Sequence, residues 1–294
     1  MSNDLGLLPS HLELIIRTAP LRYKKFSIPK RDGSLREVAQ PAREVKAIQR
    51  WIVSELRNHL PIHPSATAYE KGSSIIRNAG AHRKGRFILK MDFKDFFPSI
   101  QYGDLSRHLE RYCADIYDDA ERKQLIFSCM WVPARKPPLR LCIGAPSSPF
   151  ISNSILHDFD TEISKQAHTD GVIYTRYADD LTFSSVKRDV LGKYPGYIKR
   201  SLLALKSPKL IINTKKTVHA SRAGKRVVTG LVLTPEGHLS VGRERKRLVR
   251  AMFHQYYIGE LSEDKVQTLQ GLLAFIDSVE PGFSDKLINR YARR

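Results

Sequence analysis

The sequence predicts an α+β fold with a split βαβ arrangement at its centre, and three observations predict it. Short runs with period-two alternation, such as Phe87, Leu89 and Met91 against Ile88 and Lys90, read as strands. Stretches with apolar residues at steps of three to four, such as Val45, Ile48, Ile52 and Leu56, read as amphipathic helices. No internal repeat, low-complexity tract or flexible linker interrupts the 294 residues, so helices packed on one face of the strands accommodate both patterns.

Taken in order, residues 5–18 predict a short helix, and 26–29 with 35–39 predict two strands joined by the turn Lys30-Arg31-Asp32-Gly33. Residues 43–59 predict a helix that the prolines at 61 and 64 end. A strand follows at 87–92, then helices at 102–113 and 118–130. The Pro-rich, basic segment 133–146 cannot continue a helix and reads as a loop. Residues 147–166 fit one long helix, capped by Ser147 or Ser148 with Pro149 in its first turn. Strands at 172–175 and 181–184 flank Tyr177-Ala178-Asp179-Asp180 as a hairpin. A helix at 197–205, a strand at 227–233, the turn Pro235-Glu236-Gly237 and a strand at 239–241 come next, and the last fifty residues are helical and basic at their start.

Lys and Arg number 49 against 30 Asp and Glu, a net charge of +19. A surplus of this size favours a polyanionic partner, because cations that neutralise phosphates release counterions. Nucleic acid fits better than an anionic membrane, since no amphipathic membrane-binding stretch is evident. No transmembrane span or signal-peptide layout is visible. Cys113, Cys129 and Cys142 lack metal-type spacing and read as reduced thiols, which predicts a cytoplasmic protein.

Two acidic stretches carry the chemistry. Adjacent carboxylates on a tight turn, Asp179 and Asp180, repel each other and are tolerated where a cation neutralises them. Asp92, at the C-terminal end of a strand, is far enough away in sequence to lie on a neighbouring strand of the same sheet. Three carboxylates meeting there would hold two divalent ions, as phosphoryl transfer uses. The alternative is helix capping by Asp92 and Asp95 and a plain turn at 179–180; for Asp95, capping is the expectation.

These blocks together resemble a reverse transcriptase over nearly the whole chain. Residues 87–100 are similar to the motif with the first catalytic Asp, and 175–184 to the motif with the Asp pair. Gly144-Ala145-Pro146-Ser147-Ser148-Pro149 resembles the nucleotide-pocket loop. Ile28-Pro29-Lys30-Arg31-Asp32-Gly33-Ser34-Leu35-Arg36 resembles the fingers hairpin, and Asn213-Thr214-Lys215-Lys216-Thr217 the late-palm lysine motif. Asn78-Ala79-Gly80-Ala81-His82 and Val228-Thr229-Gly230 are similar to the Asn-Ala-x-x-His and Val-Thr-Gly signatures of the bacterial retron branch. The chain departs from the family at Ile143, where Gln usually precedes Gly-Ala-Pro.

The resemblance implies a right-hand polymerase: N-terminal helices and fingers over 1–86, a palm with a split βαβ, ferredoxin-like sheet over 87–235, and a small helical thumb over 236–294. It implies Asp92 and Asp179 as ligands of two Mg²⁺ ions (Mn²⁺ being a substitute), the Phe93 carbonyl as an extra ligand, and Asp180 completing the cluster. Phe97 takes the position of a steric gate or is a core aromatic. Arg36 and Lys30 would hold the triphosphate, Lys30 being otherwise a solvated charge. Ala145 would allow close approach of the nucleotide, and Lys216 would assist the leaving pyrophosphate or be surface charge. Tyr177 would support the primer.

Arg243, Lys246, Arg247 and Arg250 share a helix face and read as a phosphate-tracking stripe. Asn78, His82, Val228, Thr229 and Gly230 are expected at the nucleic acid, with His82 equally a structural histidine. The implied partners are deoxynucleoside triphosphates, a cognate structured non-coding RNA, its branched RNA-linked DNA product and a separate effector protein in antiphage defence. A diversity-generating or stand-alone defence enzyme, and a non-catalytic RNA-binding scaffold, remain alternatives. The cognate RNA, the product length and the oligomeric state are not legible in the sequence.

Overall fold

Strands β1 (Tyr23–Pro29) and β2 (Leu35–Pro41) pair antiparallel as a separate two-stranded ribbon. The central sheet is built on β3 (Phe87–Lys94), β4 (Ile173–Tyr177), β5 (Asp180–Ser185), β6 (Ile211–Ile212) and β7 (Val218–Ser221). Its order is β4-β5-β3-β6, with β7 also pairing β3, and every pairing is antiparallel. A third sheet joins β8 (Arg226–Val228), β9 (Leu231–Leu233) and β10 (Leu239–Ser240). This is a computed structural model, and it describes residues 1–30, 33–133, 137–205 and 207–292.

The pleat of β3 decides which side of the sheet does what. Leu89, Met91 and Phe93 point into the main core with Leu181 and Phe183 of β5, against Leu105, Leu109, Phe150, Phe159, Ile163 and Ile198 from the helices. Burying one such aliphatic or aromatic side chain contributes about 1.5–3 kcal/mol, so this face locks the register. Ile88, Lys90 and Asp92 fall on the opposite face. There Ile88 joins a second cluster with Ala79, Val228, Leu231, Val249 and Ile276, which ties the third sheet to the helices Arg243–Tyr257, Glu263–Val279 and Phe283–Ala292. That sheet runs across position 235/236, the expected boundary between palm and thumb.

Several expected elements are corrected. The helix expected at 5–18 is two, Ser2–Leu5 and Pro9–Thr18, broken at Gly6 with φ 62. The long helix expected at 147–166 breaks at Leu156 into Ser148–Ile155 and His157–Thr169, and Ser147 sits at the N-cap without a side-chain cap bond. Asp95 likewise occupies an N-cap position, in a left-handed conformation, but its carboxylate caps nothing. The strand expected at 227–233 is the hairpin β8–β9, because Thr229 (φ 44) and Gly230 (φ 80) reverse the chain. Helix Ile75–Ala81, capped by Ser74, was not anticipated.

The ribbon docks through backbone contacts at Ala39 and a small cluster. The Ala39 N–H donates to the Ile143 carbonyl at 2.9 Å, and Ala39, Trp131, Cys142 and Ala145 pack together with Tyr23. Gly144 makes the approach possible: its φ is +110, and a Cβ there would sit 3.0 Å from the Ala39 carbonyl oxygen. Gly144→Ala combines disfavoured backbone with that overlap and is expected to destabilise the fold by about 2 kcal/mol or more. Urea unfolding measures it; an unchanged midpoint would contradict this account of the docking.

Candidate active site

Three carboxylates meet because two strands place them side by side. Asp92 on β3 is the register partner of Asp180 on β5, and the Phe93 N–H donates to the Asp179 carbonyl at 3.1 Å. Between Tyr177 and Asp180, themselves register partners, the two-residue turn Ala178-Asp179 reverses the chain, with Ala178 at φ 57. A left-handed alanine costs about 1–2 kcal/mol, so neighbouring contacts must hold this turn.

The Lys216 ammonium lies 3.1 and 3.2 Å from the two Asp92 carboxylate oxygens. Arg36, Lys90, Lys215, Lys216 and Lys225 line one cavity of about 660 Å³ together with Asp92, Asp179 and Asp180. Burial, then the Asp92 and Asp180 charges, push the Asp179 carboxyl up to about 6. Burial also raises Asp180, and the Asp92 charge adds to it, although Lys90 pulls the other way. For Lys216, burial lowers the ammonium pKa, but the Asp92 bond and the surrounding carboxylates outweigh it and leave a net rise.

Among the described residues, no group of three or more His, Cys, Asp or Glu converges as a ready-made metal-ligand set. Asp92 is paired with Lys216, and an entering cation would compete with that ammonium. The donors are nevertheless all carboxylate oxygens, Asp92 and Asp180 on adjacent strands and Asp179 in the turn before β5, a set that suits a hard divalent ion such as Mg²⁺. The residues fit such an ion in donor chemistry.

The other expected residues divide. Arg36 lines the cavity, Tyr177 is half-buried beside Asp180, and Phe93 is buried. Lys30 is exposed at the ribbon's turn, while Arg31 and Asp32 lie outside the described residues. Phe97 is half-buried with its ring 5.3 Å from that of Phe96 and packs against the main core. Arg243, Arg247 and Arg250 are exposed on one helix, and Arg250 lies over the Phe283 ring at 5.6 Å.

Some expectations of direct contact are corrected. Ala145 is buried in the ribbon's docking cluster, so its small size serves packing there. Lys246 is paired with Glu280 at 2.9 Å and half-buried, which removes it from a free phosphate-facing stripe. Val228 is buried in the second cluster, whereas Thr229 donates its hydroxyl to the Ile75 carbonyl at 3.0 Å and Gly230 is exposed.

Asn78 and His82 are wholly buried and face protein. His82 bonds Ser184 through Nδ1 and Thr175 through Nε2, each at 2.8 Å. The Asn78 Oδ1 accepts from the Thr175 and Thr67 hydroxyls at 2.7 and 2.8 Å. The two residues that suggested an RNA contact thus clamp helix Ile75–Ala81 to β4 and β5.

Sequence reasoning passed over Lys90, Lys225, Arg176 and Tyr69. Period-two counting from Asp92 finds Lys90 on the same face, but nothing in the sequence brings Lys225 to the cavity. Tyr69 is exposed and left-handed at φ 67, and partial desolvation and then the Asp179 and Tyr177 charges raise its hydroxyl pKa.

The match to known proteins is broad. Residues 28–249 match the family model described as reverse transcriptase (RNA-dependent DNA polymerase). The chain is 40% identical over 282 residues to the Retron Ec83 reverse transcriptase of Escherichia coli, covering 95% of this chain and 90% of that one. It is 34% identical over 290 residues to the Retron Ec86 reverse transcriptase of the same organism, covering 98% and 86%.

Among solved structures, apo telomerase from Candida tropicalis superposes with a TM-score of 0.53 at 14% identity, covering 92% of this chain and 59% of that one. Telomerase from Candida albicans, in complex with a TWJ fragment of telomeric RNA, gives 0.52 at 15%, covering 90% and 56%. These likenesses concern the fold, which is the right-hand polymerase fold of mixed helix and sheet. With the family model spanning most of the chain and two retron enzymes aligned nearly end to end, this protein belongs to the reverse transcriptase family, in its retron type, and is an RNA-directed DNA polymerase.

Proposed function

We propose that this enzyme copies a cognate structured non-coding RNA, encoded beside it, into single-stranded DNA that stays joined to the RNA by a 2′–5′ branch, using two Mg²⁺ ions. The observation that carries the reading is that Asp92, Asp179 and Asp180 line one cavity together with Arg36, Lys90, Lys215, Lys216 and Lys225. A scaffold that only bound RNA would gain nothing from three negative charges beside phosphate. Bound divalent ions would supply activation of the attacking hydroxyl and stabilisation of the charge on the transferring phosphorus.

In this reading Asp92 and Asp179, with the Phe93 carbonyl, hold the ions, and Asp180 completes the cluster. Arg36, on the ribbon beside the cavity, grips the triphosphate with its planar fork, with Lys30 at the ribbon's tip adding long-range attraction. Lys216 neutralises Asp92 before the ions bind and passes to the departing pyrophosphate afterwards. Phe97 screens the sugar 2′ position, and Tyr177 and Gly230 face the primer. Exposed Arg243, Arg247 and Arg250 track phosphates from a thumb assigned to 236–294, with fingers over 1–86 and palm over 87–235. The product and enzyme together restrain a separate effector protein in antiphage defence.

The test is to purify the protein from its native host context and digest the bound nucleic acid with ribonuclease. DNA of discrete length bearing a ribonucleotide remnant at its 5′ end is expected. DNA of scattered lengths without that remnant would reject the retron product and favour a stand-alone or diversity-generating enzyme.

A further inference from the structure

Directly behind the acidic turn lies a charged pair that the chemistry above does not use. Arg176 and Asp160 are both fully shielded from solvent. The Arg176 Nε donates to Asp160 Oδ1 at 3.0 Å and Nη2 donates to Oδ2 at 2.6 Å, while the Tyr174 hydroxyl donates to Oδ1 at 2.7 Å. A buried ion pair is a poor source of net stability, because desolvating both ions offsets their attraction. Some other benefit has to explain its place here.

The third guanidinium nitrogen supplies one. Arg176 Nη1 donates to the Ala178 carbonyl at 3.1 Å and to Asn153 Oδ1 at 3.1 Å. Ala178 is the left-handed residue immediately before Asp179, and the orientation of its carbonyl sets the peptide plane from which the Asp179 side chain departs. The Arg176 main chain is itself clamped, its N–H donating to the Ser65 carbonyl at 2.7 Å and its carbonyl accepting from the Thr67 N–H at 2.8 Å. Asn153 extends the frame by donating Nδ2 to the Ala68 carbonyl at 2.9 Å. Two helices and the 65–68 segment therefore converge on one carbonyl of a strained turn.

We propose that Arg176 is a positioning residue: aligned by Asp160, its guanidinium holds the Ala178 peptide and thereby aims Asp179 at Asp92. The proposal rests on the reading of Asp179 given above. A rigid fork is needed, since one side of the guanidinium must satisfy a carboxylate while the other reaches a carbonyl across it. Lysine at this place keeps the charge that neutralises Asp160, but its three N–H donors leave one nitrogen and do not span from that carboxylate to the Ala178 carbonyl as Nε, Nη2 and Nη1 do.

The experiment is steady-state synthesis on an RNA template by Arg176→Lys, beside Asp179→Asn and the parent, with melting followed for each. A displaced carboxylate at a reacting centre costs on the order of 100-fold, so kcat should fall by about that factor with KM for the deoxynucleotide within about threefold of the parent. A folded Arg176→Lys enzyme with parental kcat would overturn the proposal while leaving Asp179 catalytic. Should Arg176→Lys fail to fold, the charge-free double variant Arg176→Gln/Asp160→Asn takes its place with the same expected split. Parental kcat in that variant, or failure of both to fold, would assign the pair to stability alone and overturn the proposal. Retained synthesis in Asp179→Asn would instead sink the reading of Asp179 itself.

Discussion

Asp179→Asn is expected to lower DNA synthesis by about 10³-fold or more, a loss of about 4 kcal/mol of transition-state stabilisation. The side chain keeps its shape and loses its charge, so template RNA should bind as tightly as before in a filter or mobility assay. The same substitution should stabilise the metal-free fold. In the folded protein the Asp179 carboxyl is raised to about 6, first by burial and then by Asp92 and Asp180.

A raised carboxylate is held in its disfavoured charged form at neutral pH, so it subtracts stability above its unfolded pKa. Asparagine removes that cost. In a chelator at pH 7 to 8 the variant should be more stable than the parent by roughly 1–2 kcal/mol, and the gap should close as pH falls toward 4. Wild-type synthesis in the variant would remove Asp179 from the reaction. Equal stability at pH 8 would show that crowding at the turn is relieved by other means.

Lowering the pH from 7 to 5 is expected to destabilise the enzyme by about 2 kcal/mol through His82 alone. Burial pushes its imidazole down to about 3. Its ring nitrogens meet the Ser184 and Thr175 hydroxyls, which carry no charge to offset an imidazolium sealed from water. A base whose folded pKa is depressed adds stability that is fully present above its unfolded value near 6.5 and is lost progressively as pH falls toward the folded one.

His108 has the same sign: burial pushes it down to about 4, and it adds to the loss. His82→Gln, which cannot take up the proton, should be less stable at pH 7 and lose less on acidification. Denaturant midpoints across pH 5 to 7 measure both effects. Parallel curves for parent and variant would mean that His82 is not buried neutral.

Much of the catalytic hairpin was legible because strand periodicity and turn chemistry are local. Alternation in 87–92 and strands at 172–175 and 181–184 around the turn Tyr177–Asp180 brought Asp92 and the acidic pair to one sheet; the structure shortens the turn to Ala178-Asp179 and pairs Asp92 with Asp180. The roles of buried polar residues were not legible. Asn78 looks like an RNA contact in a motif and His82 equally like an RNA contact or a structural histidine, and their partners Thr175 and Ser184 are distant in sequence, met only when helix Ile75–Ala81 packs on the sheet. Lys246 was misjudged for the same reason, since Glu280 reaches it from the next helix. The Val-Thr-Gly run scans as strand because two β-branched or small residues hide a reversal that needs left-handed backbone at Thr229 and Gly230.

By itself the sequence determined the class of fold and the surplus of positive charge, which follow from period and net charge, while the acidic trio followed from the resemblance to reverse transcriptases. Tertiary structure alone decided which cations share the cavity with that trio and which polar side chains are sealed inside. It also decided that Arg176 stands behind the turn with its fork divided between Asp160 and Ala178. Such arrangements depend on which faces of distant segments are pressed together when apolar surface is buried, and a local pattern carries no record of that choice.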